Sequence, residues 1–316
     1  MKEISGISEE HRRHLKEVRK LQERRIRRDY FTFPSVKKKE VVNKILEAVP
    51  QAKGHLQDVP GFFYDTQKKE ITYSGYKGIG ILIRDAYSKV VAVQIRRDKI
   101  KEGDNRYVWF SSSFALYDAE GKCTGGNGTG SPKDVTVPQK VKMAYSIAIT
   151  EGRFKAEKLA ENGQFAISLQ GVGSWSRIDE TISDIKKRCA EKRIGMYKTI
   201  YIFYDSDMLG NTAVFDQAIK LGKYVESKFK DMRIMYCVWD MENGKGIDDL
   251  ILNGKTENIR YICRTDLEEK HEKVLNDLLA SVGCSKIVEV EKKCGKKAAV
   301  LFAFKLQKNM QELLHS

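Results

Sequence analysis

The chain has 316 residues, 41% of them hydrophobic, and its 57 Lys and Arg outnumber its 43 Asp and Glu for a formal net charge of +14. That length and apolar content can build cores for two or three modest units. No window approaches the ~18 uncharged apolar residues of a membrane span, and the first ten residues lack the apolar stretch of a signal sequence, so a soluble, cytoplasmic protein without a membrane partner is expected.

Charge is unevenly placed. Residues 1–44 hold 14 Lys and Arg against 7 Asp and Glu, and residues 286–308 hold 7 against 2. Basic ends flanking a near-neutral middle suit a polyanionic partner, because Lys and Arg neutralise phosphates and release their counterions. The six cysteines, at 123, 189, 237, 263, 284 and 294, form no C-x-x-C pair and have no histidine at ligand spacing, so neither a zinc ribbon nor a disulfide framework is expected.

In chain order, residues 8–29 read as one helix with Leu15, Val18 and Ile26 on its apolar side and a dense arginine face. His11 and His14 stand in an H-x-x-H pattern, expected to be surface residues. A second amphipathic helix carries Val41, Val42, Ile45, Leu46 and Val49 and ends before Pro50. Beyond Gly61 the period shortens to two. Ile79, Ile81 and Ile83, then Val91, Val93 and Ile95, alternate with other residues across the Asp85–Lys89 turn, as a hairpin does. Residues 106–110 read as a third strand. Arginines interleaved with Tyr76, Tyr107 and Trp109 can hold a single strand by ion pairing and base stacking, or else simply border a small sheet. Residues 118–138 are Gly-, Ser- and Pro-rich, but no Gly-Lys-Ser/Thr opens a helix after a strand, so no Walker A loop exists.

From residue 146 the pattern becomes strand, helix, strand: strands at 146–150, 165–169, 199–204 and 233–238, and helices at 153–162, 178–193 and 212–229. Strands separated by helices of this length imply a parallel sheet with right-handed crossovers. Carboxylates follow the apolar runs, so Glu151, Asp205, Asp207 and Asp240 are expected to gather at the sheet edge where such folds bind ligands. Asp205 and Asp207 are one residue apart. In an extended strand end they point the same way and can share a cation, whereas in a turn they can cap the following helix. After residue 259 we expect a helix at 267–282, two short strands at 286–290 and 298–304, and a terminal helix.

The order Thr-Glu-Gly (150–152), Gly-Val-Gly-Ser (171–174) and Tyr-Asp-Ser-Asp (204–207) on strand ends resembles the TOPRIM domain of bacterial primases, topoisomerases and some nucleases. Upstream, Gly-Ile-Leu-Ile-Arg-Asp (80–85), Val-Val-Ala-Val-Gln-Ile-Arg (90–96) and Arg-Tyr-Val (106–108) resemble the N-terminal half of the replicative primase core. Gly-Lys-Gly-Ile-Asp-Asp-Leu (244–250) is similar to its last acidic motif. The whole looks most like the primase-like TOPRIM proteins of phages, plasmids and integrative elements.

This resemblance implies an α/β fold in which a basic helical region (1–58) and a β-rich subdomain (59–140) precede a TOPRIM domain (141–255) with a parallel sheet flanked by helices, followed by a small α/β region (256–316). It implies Glu151 as the acid/base carboxylate, Asp205 and Asp207 holding Mg²⁺ or Mn²⁺ with Glu151 able to complete the site, and Asp248 as an outer metal ligand. Arg84, Arg96 and Arg106 would line a template track, and Lys155 would contact a phosphate or be an exposed helix lysine. The partners implied are single-stranded DNA, nucleoside triphosphates and a separate replicative helicase. A nuclease using the same carboxylates, or a non-catalytic single-strand-binding replication accessory, are the alternative readings. Two departures stand out: there is no zinc ribbon, and Gly246 replaces the first Asp of the last motif, with Asp240 a candidate to compensate.

Overall fold

The computed structural model describes residues 1–113, 116–117, 123–139 and 144–282. The expected C-terminal strands and terminal helix lie outside these residues. The chain divides into two compact units, Met1–Val137 and Pro138–Ser316.

In the first unit the expected single helix over 8–29 is broken into Glu9–Arg13, a π-helical turn His14–Val18, and Glu23–Asp29. Lys20 takes a left-handed φ of 51° and Gln22 is extended, which ends the hydrogen-bond ladder. The break has a packing reason. At about 3.6 residues per turn a straight helix would turn Leu21 away from the side shared by Leu15 and Ile26, whereas here all three are buried. His11 is also buried, with Nδ1 2.9 Å from the Thr32 hydroxyl and Nε2 3.1 Å from Asp98, which corrects its expected surface placement.

An antiparallel sheet follows in the order Tyr30–Thr32, Gly78–Arg84, Val90–Arg97, Tyr107–Trp109. The hairpin turn closes on the Asp85 carboxylate, which accepts from the backbone N–H groups of Tyr87 and Lys89 at 2.9 Å each. One face of this sheet packs Phe31, Phe33 and Ile95 against Val41 and Val42 of the Lys38–Ala48 helix and the Phe62, Tyr73 and Phe110 rings.

The second unit is built on strands in the spatial order Arg260–Ile262, Arg233–Val238, Gly195–Phe203, Ala144–Glu151, Phe165–Leu169. The last four pair in parallel, joined by the expected helices Arg153–Glu161, Ile178–Glu191 and Thr212–Lys228. Arg260–Ile262 runs antiparallel to Arg233–Val238, so the sheet is mixed rather than wholly parallel; an antiparallel edge strand is a common finish to such sheets. Period-two alternation sorts the core. Ala148, Ala166, Phe203 and Cys237 pack with Ala156 and Leu159 of the first crossover helix and with Ile247 and Leu250 of the helix Ile247–Leu252. Ile147, Ile149, Ile200 and Ile202 fill the opposite face. Among the described residues no helix is long and apolar enough to cross a membrane.

Candidate active site

The carboxyl ends of the parallel strands carry the acidic residues because the chain must turn there to enter each helix. Glu151 is the last residue of its strand, in register with Leu169. Gly152 follows at φ 85°, a conformation that suits glycine, and its N–H donates to the Leu169 carbonyl at 2.9 Å before the helix Arg153–Glu161 begins. The neighbouring strand ends at Phe203, in register one residue short of Glu151. Asp205 is still extended, but Ser206–Leu209 coils into a 3₁₀ turn that contains Asp207. The two aspartates therefore converge through a turn and not through strand alternation. Neither caps the next helix, because Asn211 does so, its side chain accepting from Val214 N–H at 3.4 Å.

Glu151, Asp205 and Asp207 act on one another. The carboxyl of Glu151 is held above its ordinary pKa, first by burial and then by the charges of Asp205 and Asp207, against the opposing pull of Lys155 and Lys245. Tyr204 is buried beside them and its hydroxyl donates to the Val172 carbonyl at 2.9 Å. Burial and the Glu151 charge push that phenol far above its usual range, so it stays neutral.

The loop before Ile247 closes the site from the other side. Ser206 N–H donates to the Lys245 carbonyl at 2.9 Å, which lays residues 245–248 against the Asp205 turn. Asp249 is the cap of this helix, its carboxylate accepting from the N–H groups of Lys245 and Gly246 at 3.1 and 3.0 Å. Asp248 points elsewhere. A Cβ at position 246 would lie 2.4 Å from Asp248 Oδ1 and 2.8 Å from Lys155 Cε, so these two side chains meet over the glycine. Lys155 goes on to ion-pair with Asp205 through Nζ and Oδ1, each side chain 18% exposed. Asp240 does not take the place of an acid at 246, being held outside by Arg260 at 2.7 Å.

The carboxylate oxygens of Glu151, Asp205 and Asp207 are the donor type that Mg²⁺ and Mn²⁺ prefer, and Ser206 Oγ, between the two aspartates in the chain, is enclosed without a partner. Among the described residues no group of three or more His, Cys, Asp or Glu is arranged to hold a metal ion. The donors fit such an ion in kind but do not enclose it, and Asp205 is satisfied by Lys155 instead. Magnesium is usually bound by one or two carboxylates with phosphates and waters completing its shell.

Residues 139–258, which include the four parallel strands and their acidic edge, match the model of a domain of unknown function, DUF3854. Among solved structures the zinc-binding and RNA polymerase domains of Aquifex aeolicus primase superpose with a TM-score of 0.53 at 15% identity, over 98% of this chain and 68% of that one. The chain has the fold of the bacterial primase catalytic core. The RNA polymerase domain of Mycobacterium tuberculosis primase DnaG, in a complex with a double-stranded DNA oligomer bearing a 6-nucleotide overhang, matches with a TM-score of 0.50 at 13% identity, over 90% of this chain and 82% of that one. No curated protein matches by sequence.

Within the first unit of this primase fold the three expected template arginines have different surroundings. Arg84 is committed to the protein: Nε donates to Asp29 Oδ1 at 2.6 Å and Nη1 to the Ser88 carbonyl at 2.7 Å. Asp29 is wholly buried and also paired with Arg28. Arg84 thus locks a hairpin to a helix end. Arg96, opposite Tyr107 in the register, has an enclosed Nε without a partner and lies among charges that include Arg19 and His14. Arg106 precedes the same strand and is partly exposed, with its carbonyl accepting from Arg97 N–H at 2.9 Å. Tyr76 and Tyr107 are exposed, and the Arg97 guanidinium sits 4.3 Å from the Tyr76 ring centre.

Sequence reasoning missed Lys245 and the steric role of Gly246. Both lie in the Gly-Lys-Gly stretch (244–246), and a lysine between glycines beside an acidic motif is a signal that could have marked them.

Proposed function

We propose that this chain is a metal-dependent, primase-type nucleotidyltransferase that starts DNA synthesis on a single-stranded template, in the replication of a mobile element. The observation that carries this reading is the approach of Glu151, Asp205 and Asp207 at the carboxyl edge of the parallel sheet, within a primase-core fold. In the reaction, the 3′-oxygen of one nucleotide bonds to the α-phosphorus of the next nucleoside triphosphate. The bond from that phosphorus to the α,β-bridging oxygen breaks, and pyrophosphate leaves. Glu151 takes the 3′-hydroxyl proton, a role that its raised proton affinity favours.

A divalent ion, when bound, would supply charge neutralisation to the triphosphate, with Asp205 and Asp207 as its protein ligands and Asp248 as an outer one. Lys245, exposed on the closing loop, meets the phosphates electrostatically. Arg96 and Arg106 hold template phosphates, and Tyr76 and Tyr107 offer ring faces to unpaired bases. A separate helicase supplies the single strand.

Template-directed synthesis on circular single-stranded DNA with labelled NTPs or dNTPs and Mg²⁺ or Mn²⁺ tests the proposal. Short products from the wild type, lost in Asp205→Asn/Asp207→Asn, are expected. Metal-dependent shortening of the DNA without products would replace the reading with a nuclease, and binding that survives EDTA without either outcome would replace it with an accessory protein.

A further inference from the structure

Lys155 and Arg153 lie two residues apart on one helix and are held differently. The Arg153 guanidinium is buried on the Glu157 carboxylate, with Nη2 to Oε1 at 2.7 Å. Lys155 crosses Gly246 instead and reaches into the acidic edge, where it pairs with Asp205. Two features show that its path is built. The first is the missing side chain at 246, where a Cβ would meet Lys155 Cε at 2.8 Å. The second is the ion pair itself, which brings the Lys155 ammonium onto Asp205 with each side chain only 18% exposed.

Extending the metal reading proposed above, on which it rests, we propose that Lys155 is a displaceable internal cation. In the nucleotide-free protein it occupies Asp205, and it leaves that carboxylate for the substrate's phosphates when a divalent ion is bound. An ammonium and a divalent cation on one carboxylate repel strongly at short range in a half-buried site. A lysine suits this exchange better than an arginine, since it is a point charge on a flexible stem with no fork to hold it in one geometry. The departure at 246 and the lysine at 155 then form one device: the glycine gives up a carboxylate and opens the path for the cation. Metal and nucleotide binding become linked, each strengthening the other, because the nucleotide offers the displaced ammonium a new anion.

Mn²⁺ binding followed by electron paramagnetic resonance, on the full chain without nucleotide, tests this apart from activity. Lys155→Met is expected to bind Mn²⁺ about tenfold more tightly than the wild type, since a competing positive charge is gone, and the difference should shrink or reverse when a non-hydrolysable NTP analogue is present. Lys155→Gln should behave as Lys155→Met does, and its thermal unfolding checks that the fold is kept. Wild-type or weaker Mn²⁺ affinity in both variants, with binding still abolished in Asp205→Asn, would overturn the role of Lys155 and leave the metal reading standing. If neither the wild type nor the variants bind Mn²⁺, both the metal reading and the lysine proposal fail.

Discussion

The Arg84 network of the first unit and the acidic edge of the second both set ionised groups side by side, but they close differently. Asp29 is fully buried and its oxygens are taken by Arg84 and Arg28, whose planar forks match a carboxylate. At the acidic edge the charges of Asp205 and Asp207 oppose that of Glu151, and the cations that act on Glu151 are two lysines, Lys155 and the exposed Lys245. One arrangement is complete in the protein alone. The other is stable enough to fold yet leaves negative charge that a ligand can neutralise, which is how binding sites commonly differ from structural ion pairs.

Substitutions at each place should separate the two. Asp205→Asn is expected to reduce the proposed primer synthesis by about 10³-fold, roughly 4 kcal/mol of barrier, while moving the midpoint of urea unfolding little, because the lost Lys155 pair is offset by removal of a charge that opposes Glu151. A large loss of stability would put this residue in the same class as Asp29. Asp29→Ala should do the opposite: about 3 kcal/mol lost in urea unfolding, since Arg84 is left enclosed without its carboxylate.

A smaller effect sharpens the account of the edge. Gly246→Ala drives a methyl against the ends of two flexible side chains, so unfolding should move by under about 1 kcal/mol. Nucleotide-free Mn²⁺ affinity should nevertheless change, because Lys155 loses its path. The smallest effect concerns His14. Burial, then Arg96, Arg19 and His11, lower its pKa, with Asp98 opposing. A folded pKa below the unfolded one means that the unfolded chain binds more protons, so stability holds above the unfolded value near 6.5 and falls as pH drops below it. His14→Gln should flatten that fall in denaturation curves recorded between pH 7 and pH 5; an unchanged slope would assign the dependence to other groups.

Much of the second unit was legible in the chain. Its strands and helices have strong two-residue and 3.6-residue periods, and Ile178, Ile182, Ile185 and Cys189 all turn inward as the stripe predicts. The first helix was misread because Leu15 and Ile26 fit a straight helix, whereas Leu21 is buried only if the helix breaks at Lys20. The Arg84 pair was hidden for a similar reason: an arginine at a strand end looks the same whether it meets a phosphate or an aspartate from residue 29. Asp240 likewise sits after a strand with the right sequence spacing, but Arg260 on the antiparallel edge strand engages it.

The sequence by itself determined where the strands end and which carboxylates follow them, because side-chain periodicity and chain turns are local properties. It also set the oxygen-only character of the candidate site. Tertiary structure decided the pairing of charges. Whether Lys155 faces water or Asp205, and whether residue 246 has room for a side chain, depends on how a crossover helix and a loop about ninety residues later approach one strand end. Such distances follow from packing of the apolar core beneath, where Ala156 and Leu159 meet Ile247 and Leu250, and no local pattern contains them.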